Sequence, residues 1–179
     1  MGDLPGRSRY LGLAAALAAM GHGVQAESSE KAALSAFADN CLSPHLTARA
    51  ANEAFAGPEI RHDFYDLDPF SAPAPSPAAG MPTPGTDRRC EVTFDGDQGA
   101  QAAETARAAL AAEGITTEAP LPATHTGAHR PGTTLLAARA LNPGRVAVVH
   151  TGTRPGPNGP ETFLRVERLT PEASREALK

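Results

Sequence analysis

His125 and His129 stand four residues apart, the spacing at which two imidazoles on one helix face can ligate a metal ion. Their neighbours Thr124, Thr126, Gly127, Arg130 and Pro131 favour a loop, and no acidic residue lies between them, so the metalloprotease pattern is absent. They are the candidate metal ligands. The stretch Arg61-His62-Asp63-Phe64-Tyr65-Asp66-Leu67-Asp68 gathers three carboxylates and a histidine. A calcium loop would need a central glycine and a terminal glutamate as well. Both are missing, so a polar strand edge is expected there. A serine nucleophile needs a strained turn with small neighbours, such as Gly-x-Ser-x-Gly. No such turn occurs, and Ser35, Ser43, Ser71 and Ser76 fall in helix, cap or loop positions. A scattered Ser/His/Asp site would need a serine or aspartate within reach of His62, His125, His129 or His150, with His150, near a strand end, the best placed. The glycine-rich run from Thr151 to Gly159 lacks the Lys-Ser/Thr pair and the following helix of a phosphate loop, and reads as a Gly/Pro hairpin loop. Its Arg154 can meet an anionic ligand, as any surface arginine can. The sequence therefore assigns no catalytic residue and no cofactor.

The two cysteines, Cys41 and Cys90, are far apart in the chain, without the close spacing or histidine partners of redox or metal thiols. Leu34, Phe37 and Cys41 share one helix face. Cys90, Val92 and Phe94 alternate with Arg89, Glu91 and Thr93, as on one face of a strand. Both cysteines point at a core, and a structural disulfide is expected in an oxidising compartment.

That compartment is implied by the start of the chain. Arg7 and Arg9 form a basic region, Tyr10 to Met20 an uncharged apolar stretch, and Gly21-His22-Gly23 a helix break. Val24 and Ala26 offer the small residues a signal peptidase accepts, so a signal peptide over residues 1–26 with cleavage between Ala26 and Glu27 is expected. The apolar stretch is about half the ~20 residues needed to span a bilayer, and no cysteine follows the cut to carry a lipid. The expected location is periplasmic or secreted, with no membrane insertion after the signal is removed.

Composition narrows the partners. The chain has 179 residues, with 16 basic and 20 acidic side chains and a net charge of −4. A mildly acidic chain does not attract phosphate backbones, so nucleic acid is not expected as a partner. Aromatics make up 4 % of residues and tryptophan is absent, which argues against aromatic-lined sugar or base sites.

Stepping along the chain, Ser28 or Ser29 can cap a helix running to about Cys41, and Ser43-Pro44 reads as the start of a second helix ending at Gly57-Pro58. Ile60 to Leu67 forms a short strand candidate. Residues 69–86 are rich in Pro, Ala and Ser and read as an extended, mobile loop. Asp87 to Asp95 is a strand, and Gly99 to Glu113 is the clearest helix, with Ala103, Ala106, Ala109 and Leu110 inward. A brief extension at Ile115 to Thr117 and an irregular loop from Pro120 to Gly132 follow. Thr133 to Leu141, Arg145 to Thr151 and Glu161 to Leu169 are strands joined by turns, hence antiparallel. Thr170-Pro171 starts a short last helix. The expectation is one α+β domain over residues 27–179: an N-terminal helical hairpin, and an antiparallel sheet of about four strands with the Ala-rich helix packed on one face.

The stretch Ala36-Phe37 to Cys41-Leu42, then Ala50 to Phe55, then Arg89-Cys90-Glu91-Val92 leading into an Ala-rich helix, resembles a group of small exported bacterial proteins of unknown function. These share a signal peptide, an early cysteine in a helix and a Cys-x-Val strand. Some carry the label succinyl-CoA synthetase beta subunit, which this sequence does not support, having neither the length of an ATP-grasp domain nor a phosphate loop. The resemblance covers roughly residues 30–115 and carries over no functional residue. The expected function is a non-enzymatic binding or accessory protein of the cell envelope, with a protein or small-molecule partner. The alternatives are a secreted hydrolase with a scattered site and a metal-binding protein using the loop histidines.

Overall fold

The computed structural model describes residues 18–71, 74–128, 130–141 and 144–179, with side chains from residue 29 onward. The first helix, α1 (Ala18–Asn40), is longer than expected. It continues through Gly21-His22-Gly23, through the expected cut point Ala26/Glu27, and through Ser28 and Ser29, which are interior rather than capping residues. A helical glycine costs about 1 kcal/mol relative to alanine, a penalty that an Ala-rich neighbourhood can absorb. Residues 1–17 of the expected signal peptide lie outside the described residues. Ala33, Leu34 and Phe37 of α1 are buried, and Cys41 lies just past its last turn.

The second helix, α2 (Ala48–Ala54), is capped by Thr47, whose hydroxyl accepts from the Ala50 N–H at 3.2 Å. The expected cap, Ser43, lies in the turn before it, and its carbonyl accepts from the buried Arg88 at 2.6 Å. Thr47 wins because it stands directly before the alanine-rich turn, with its oxygen free for an early helical N–H.

The sheet has six strands rather than about four. They are β1 (Arg61–Asp66), β2 (Thr86–Asp95), β3 (Glu118–Ala119), β4 (Thr133–Ala140), β5 (Val146–Gly156) and β6 (Gly159–Leu169). Their order is β1-β2-β6-β5-β4-β3, and every neighbouring pair is antiparallel. The short β3 forms at Glu118–Ala119, just past the expected extension at 115–117. Between β1 and β2 the Pro-rich segment folds back, with Ser76 and Asp66 exchanging two backbone hydrogen bonds.

The run from Thr151 to Gly159 does turn the chain back as a hairpin, but its loop is shorter than expected: β5 and β6 pair out to Gly156 and Gly159. Pro155 faces Pro160 across that pair. The Thr153 N–H donates toward β4, to the Gly132 carbonyl, and the Pro160 carbonyl accepts from Gly96 just beyond β2. Each proline nitrogen thus points away from the pair and past a strand end, where no ladder bond is lost.

One face of the sheet is covered by α1, α2 and by α3 (Gly99–Ala112), which buries Ala102, Ala103, Ala106, Ala109 and Leu110. Beneath them lie Cys90, Val92, Phe94, Val149, Leu164 and Val166, the inward half of each strand's alternation. The opposite face is not bare, as a helix-on-one-face layout would leave it. The short helices α4 (Ala123–Thr126) and α5 (Pro171–Ala177) lie there, with Ala173 and Ala177 packed on Val146, Val148 and Leu169.

Cys41 and Cys90 form the expected disulfide, with Cα atoms 5.4 Å apart and both residues buried. It ties the end of α1 to the middle of β2. Closing a loop of ~50 residues removes up to about 4 kcal/mol of unfolded-state entropy. The Cys41→Ala/Cys90→Ala double variant is expected to unfold at lower urea by that order, in equilibrium urea melts compared with the oxidised protein. An unchanged midpoint would remove the bridge from the account of stability.

Candidate functional site

The sheet face opposite α1–α3 is built from the polar half of each strand's alternation. On β2 these are Arg89, Glu91 and Thr93, on β6 Glu161, Phe163, Arg165 and Glu167, and on β5 His150 and Arg154. Glu91, Glu161 and Glu167 are all buried, at 5 %, 6 % and 3 % exposure. A buried carboxylate is tolerated only where charge and hydrogen bonds compensate its lost water. Each has that compensation. Glu91 accepts from Arg165 Nε and, at 2.8 Å, from Arg154 Nη2. Glu161 accepts from Arg154 Nε at 2.8 Å and from Arg61 at 3.1 and 2.7 Å. Glu167 accepts from Arg89 Nε at 2.9 Å, the Thr83 hydroxyl at 2.5 Å and His125 Nε2 at 3.1 Å. The arginines carry the charge outward: the side chains of Arg154 and Arg61 remain 39 % and 38 % exposed.

The pKa directions follow from this layout. Burial opposes ionisation of Glu167, but hydrogen bonds from His125 and Thr83 and the charges of Arg165 and Arg89 outweigh it and hold the carboxyl down to about 2. Burial, with the charge of Arg165, pushes His150 down to about 4. His150 is therefore neutral near neutral pH. Its Nε2 lies 3.1 Å from the Thr133 hydroxyl, and its ring meets Phe163 edge-on at 4.7 Å. A register shift between Thr133 and Leu135 turns Thr133 onto this face. Arg154 lies over the Phe163 ring at 5.1 Å.

Above these residues opens a cleft of about 510 Å³. Arg130, Arg154, Arg165, His150, Thr133 and Phe163 line it, with Ala128, Pro131, Thr153 and Pro155 completing the wall.

The residues singled out from the sequence are distributed as follows. His125 is not a solvated loop residue: it belongs to α4, is buried at 3 % exposure, and bonds Glu167 through Nε2 and Thr124 through Nδ1. His129 lies outside the described residues. Among the described residues no group of three or more His, Cys, Asp and Glu side chains is placed to hold a metal ion. The acidic stretch 61–68 is largely the edge strand β1, where Asp63 pairs with Arg89 at 2.9 Å and Asp66 with Arg168 at 2.9 Å. His62 meets Asn52, His125 meets Glu167 and Thr124, and His150 meets Thr133; no serine is among these partners. The network of Glu91, Glu161 and Glu167 with their arginines was not anticipated. Its outward alternation was readable in Arg89, Glu91, Arg165 and Glu167, but the pairing depends on strand order, which no local spacing reveals.

No protein-family model matches the chain, and no curated protein and no solved structure does either.

His150 has its pKa lowered on folding, so its contribution to stability is complete above its unfolded value of about 6.5 and is lost as pH falls toward 4. Glu167 acts lower, losing its contribution from about 4.5 down to about 2. Urea midpoints measured across pH are expected to fall between 6.5 and 4, and His150→Gln is expected to flatten that fall. A His150→Gln profile parallel to the parent would contradict the assignment.

Proposed function

We propose that this protein is an exported, disulfide-stapled binding or accessory protein of the cell envelope that does no catalysis, and that the charged sheet face is its ligand surface. The observation that carries the reading is the cleft over Arg130, Arg154 and Arg165. It offers hydrogen-bond donors around a cavity of small-molecule size, while His150 beside it bonds a threonine and is not seated between a serine and a carboxylate. The buried Cys41–Cys90 bridge supports an oxidising compartment. No helix among the described residues is long and apolar enough to cross a membrane. Cleavage after Ala26 would shorten α1 yet keep Ala33, Leu34 and Phe37, the part that packs on the sheet.

The test is to express the full chain in bacteria with a periplasm and sequence the N-terminus of the product. Recovery in the periplasmic fraction beginning at Glu27 is expected. Retention in the cytoplasm with Met1 or Gly2 at the N-terminus would overturn the export reading, and turnover of an ester, peptide or phosphoester panel by the purified product would overturn the non-enzymatic one.

A further inference from the structure

We infer that the cleft over β5 and β6 binds a small organic oxyanion, a carboxylate or phosphate monoester carrying a compact apolar body, between Arg130, Arg154 and Arg165. The inference deepens the reading of this face as a ligand surface and rests on it.

Unused donors are the first observation. Arg165, which lines the cleft, bonds Glu91 through Nε alone, which leaves its two terminal nitrogens without a hydrogen-bond partner among the described residues. Arg154 commits Nε and Nη2 and keeps Nη1. The Arg130 side chain makes no ion pair among the described residues. A guanidinium presents its N–H groups in a planar fork that fits the paired oxygens of a carboxylate or phosphate.

Preorganisation is the second. Glu91 and Glu161 hold Arg165 by Nε and Arg154 by Nε and Nη2, so less rotamer freedom is lost when an anion arrives. Among the described residues no aspartate or glutamate lines the cleft, while Arg130, Arg154 and Arg165 do.

The third is the wall itself. Phe163, Pro131, Pro155 and Ala128 give it an apolar side, which suits a ligand with a hydrocarbon or ring attached to its charged group. Its volume of about 510 Å³ fits one small molecule rather than a polymer. Arg154 is already stacked on Phe163, so an aromatic body meets that pair at the guanidinium edge and the prolines.

The experiment is calorimetric titration of the purified full-length product with phenyl phosphate, benzoate, inorganic phosphate and neutral benzyl alcohol. The first two are expected to bind, inorganic phosphate more weakly, and benzyl alcohol at least about tenfold more weakly than either organic anion, since the charged fork contacts are the stronger ones. Raising salt to ~0.5 M is expected to weaken both organic anions several-fold, because the cleft is open to solvent. Arg130→Ala removes a cleft arginine whose side chain makes no ion pair among the described residues. It is expected to leave the thermal melt of the free protein unchanged and to weaken both anions about three- to tenfold. The Arg165→Met/Glu91→Gln double variant removes the charge of the partly buried Arg165 together with that of the carboxylate it bonds, and is expected to abolish anion binding while the circular dichroism of the fold persists. Absence of binding by either organic anion, equal binding of benzyl alcohol, or an unchanged affinity in Arg130→Ala would each overturn the inference. Preference for benzoate over phenyl phosphate, or the reverse, supports it and identifies the oxyanion. An exported protein that binds neither anion sinks this inference alone, whereas a cytoplasmic protein that binds them sinks only the export reading.

Discussion

Glu91, Glu161 and Glu167 sit out of water in a β-sheet, and arginines from β1, β2, β5 and β6 compensate them there. Arg61 on β1 reaches across β2 to Glu161 on β6, and Arg154 on β5 joins Glu161 to Glu91 on β2. Removing one arginine from such a group strips a buried carboxylate of part of its compensation and is destabilising, although each carboxylate keeps at least one other donor. The network therefore acts as a register lock. A slip of one residue on β6 would carry Glu161 and Glu167 into the apolar layer under α3 and lift Leu164 and Val166 into the charged one.

The two faces divide the work of holding the domain together. Under α1 and α3 the sheet offers Val92, Phe94, Val149 and Leu164 to small alanine surfaces, which let the helices come close. Close approach also governs the strand ends. A Cβ on Gly132 would lie 2.1 Å from the Thr153 carbonyl oxygen, and Gly132 holds a φ of 90°, so this join of β4 to β5 tolerates only glycine. The join matters because it brings Thr133 against His150, and both line the cleft.

Local patterning carries much of this fold. The alternation Cys90-Val92-Phe94, the alanine spacing of α3 and the Thr170-Pro171 start of α5 are each readable from a few neighbours, and each forms. The features that were not readable depend on distant partners. Gly152, Pro155, Gly156 and Pro160 have loop chemistry taken singly, yet all lie in the β5–β6 pair, where the donors that the two prolines lack fall outside the ladder. His125 looks solvated until Glu167, 42 residues on, is placed beneath it. The cleft arginines carry no motif at all, since Arg130, Arg154 and Arg165 converge only once β4, β5 and β6 are side by side. The expected strand count fell short by two: β1 was readable only as a short candidate at Ile60 to Leu67, and β3 is two residues long and defined by its partners Arg139 and Ala138 rather than by its own composition.

The position of β6 has a consequence in time. The last strand in the chain lies between β2 and β5, and Arg89 meets Glu167 across 78 residues of sequence. The first half of the polypeptide can build its helices but cannot close its sheet until the second half has joined it. Pairings of such long range assemble slowly, because chain entropy is lost before contacts reward it. The sheet is complete only when the final strand takes its place between β2 and β5.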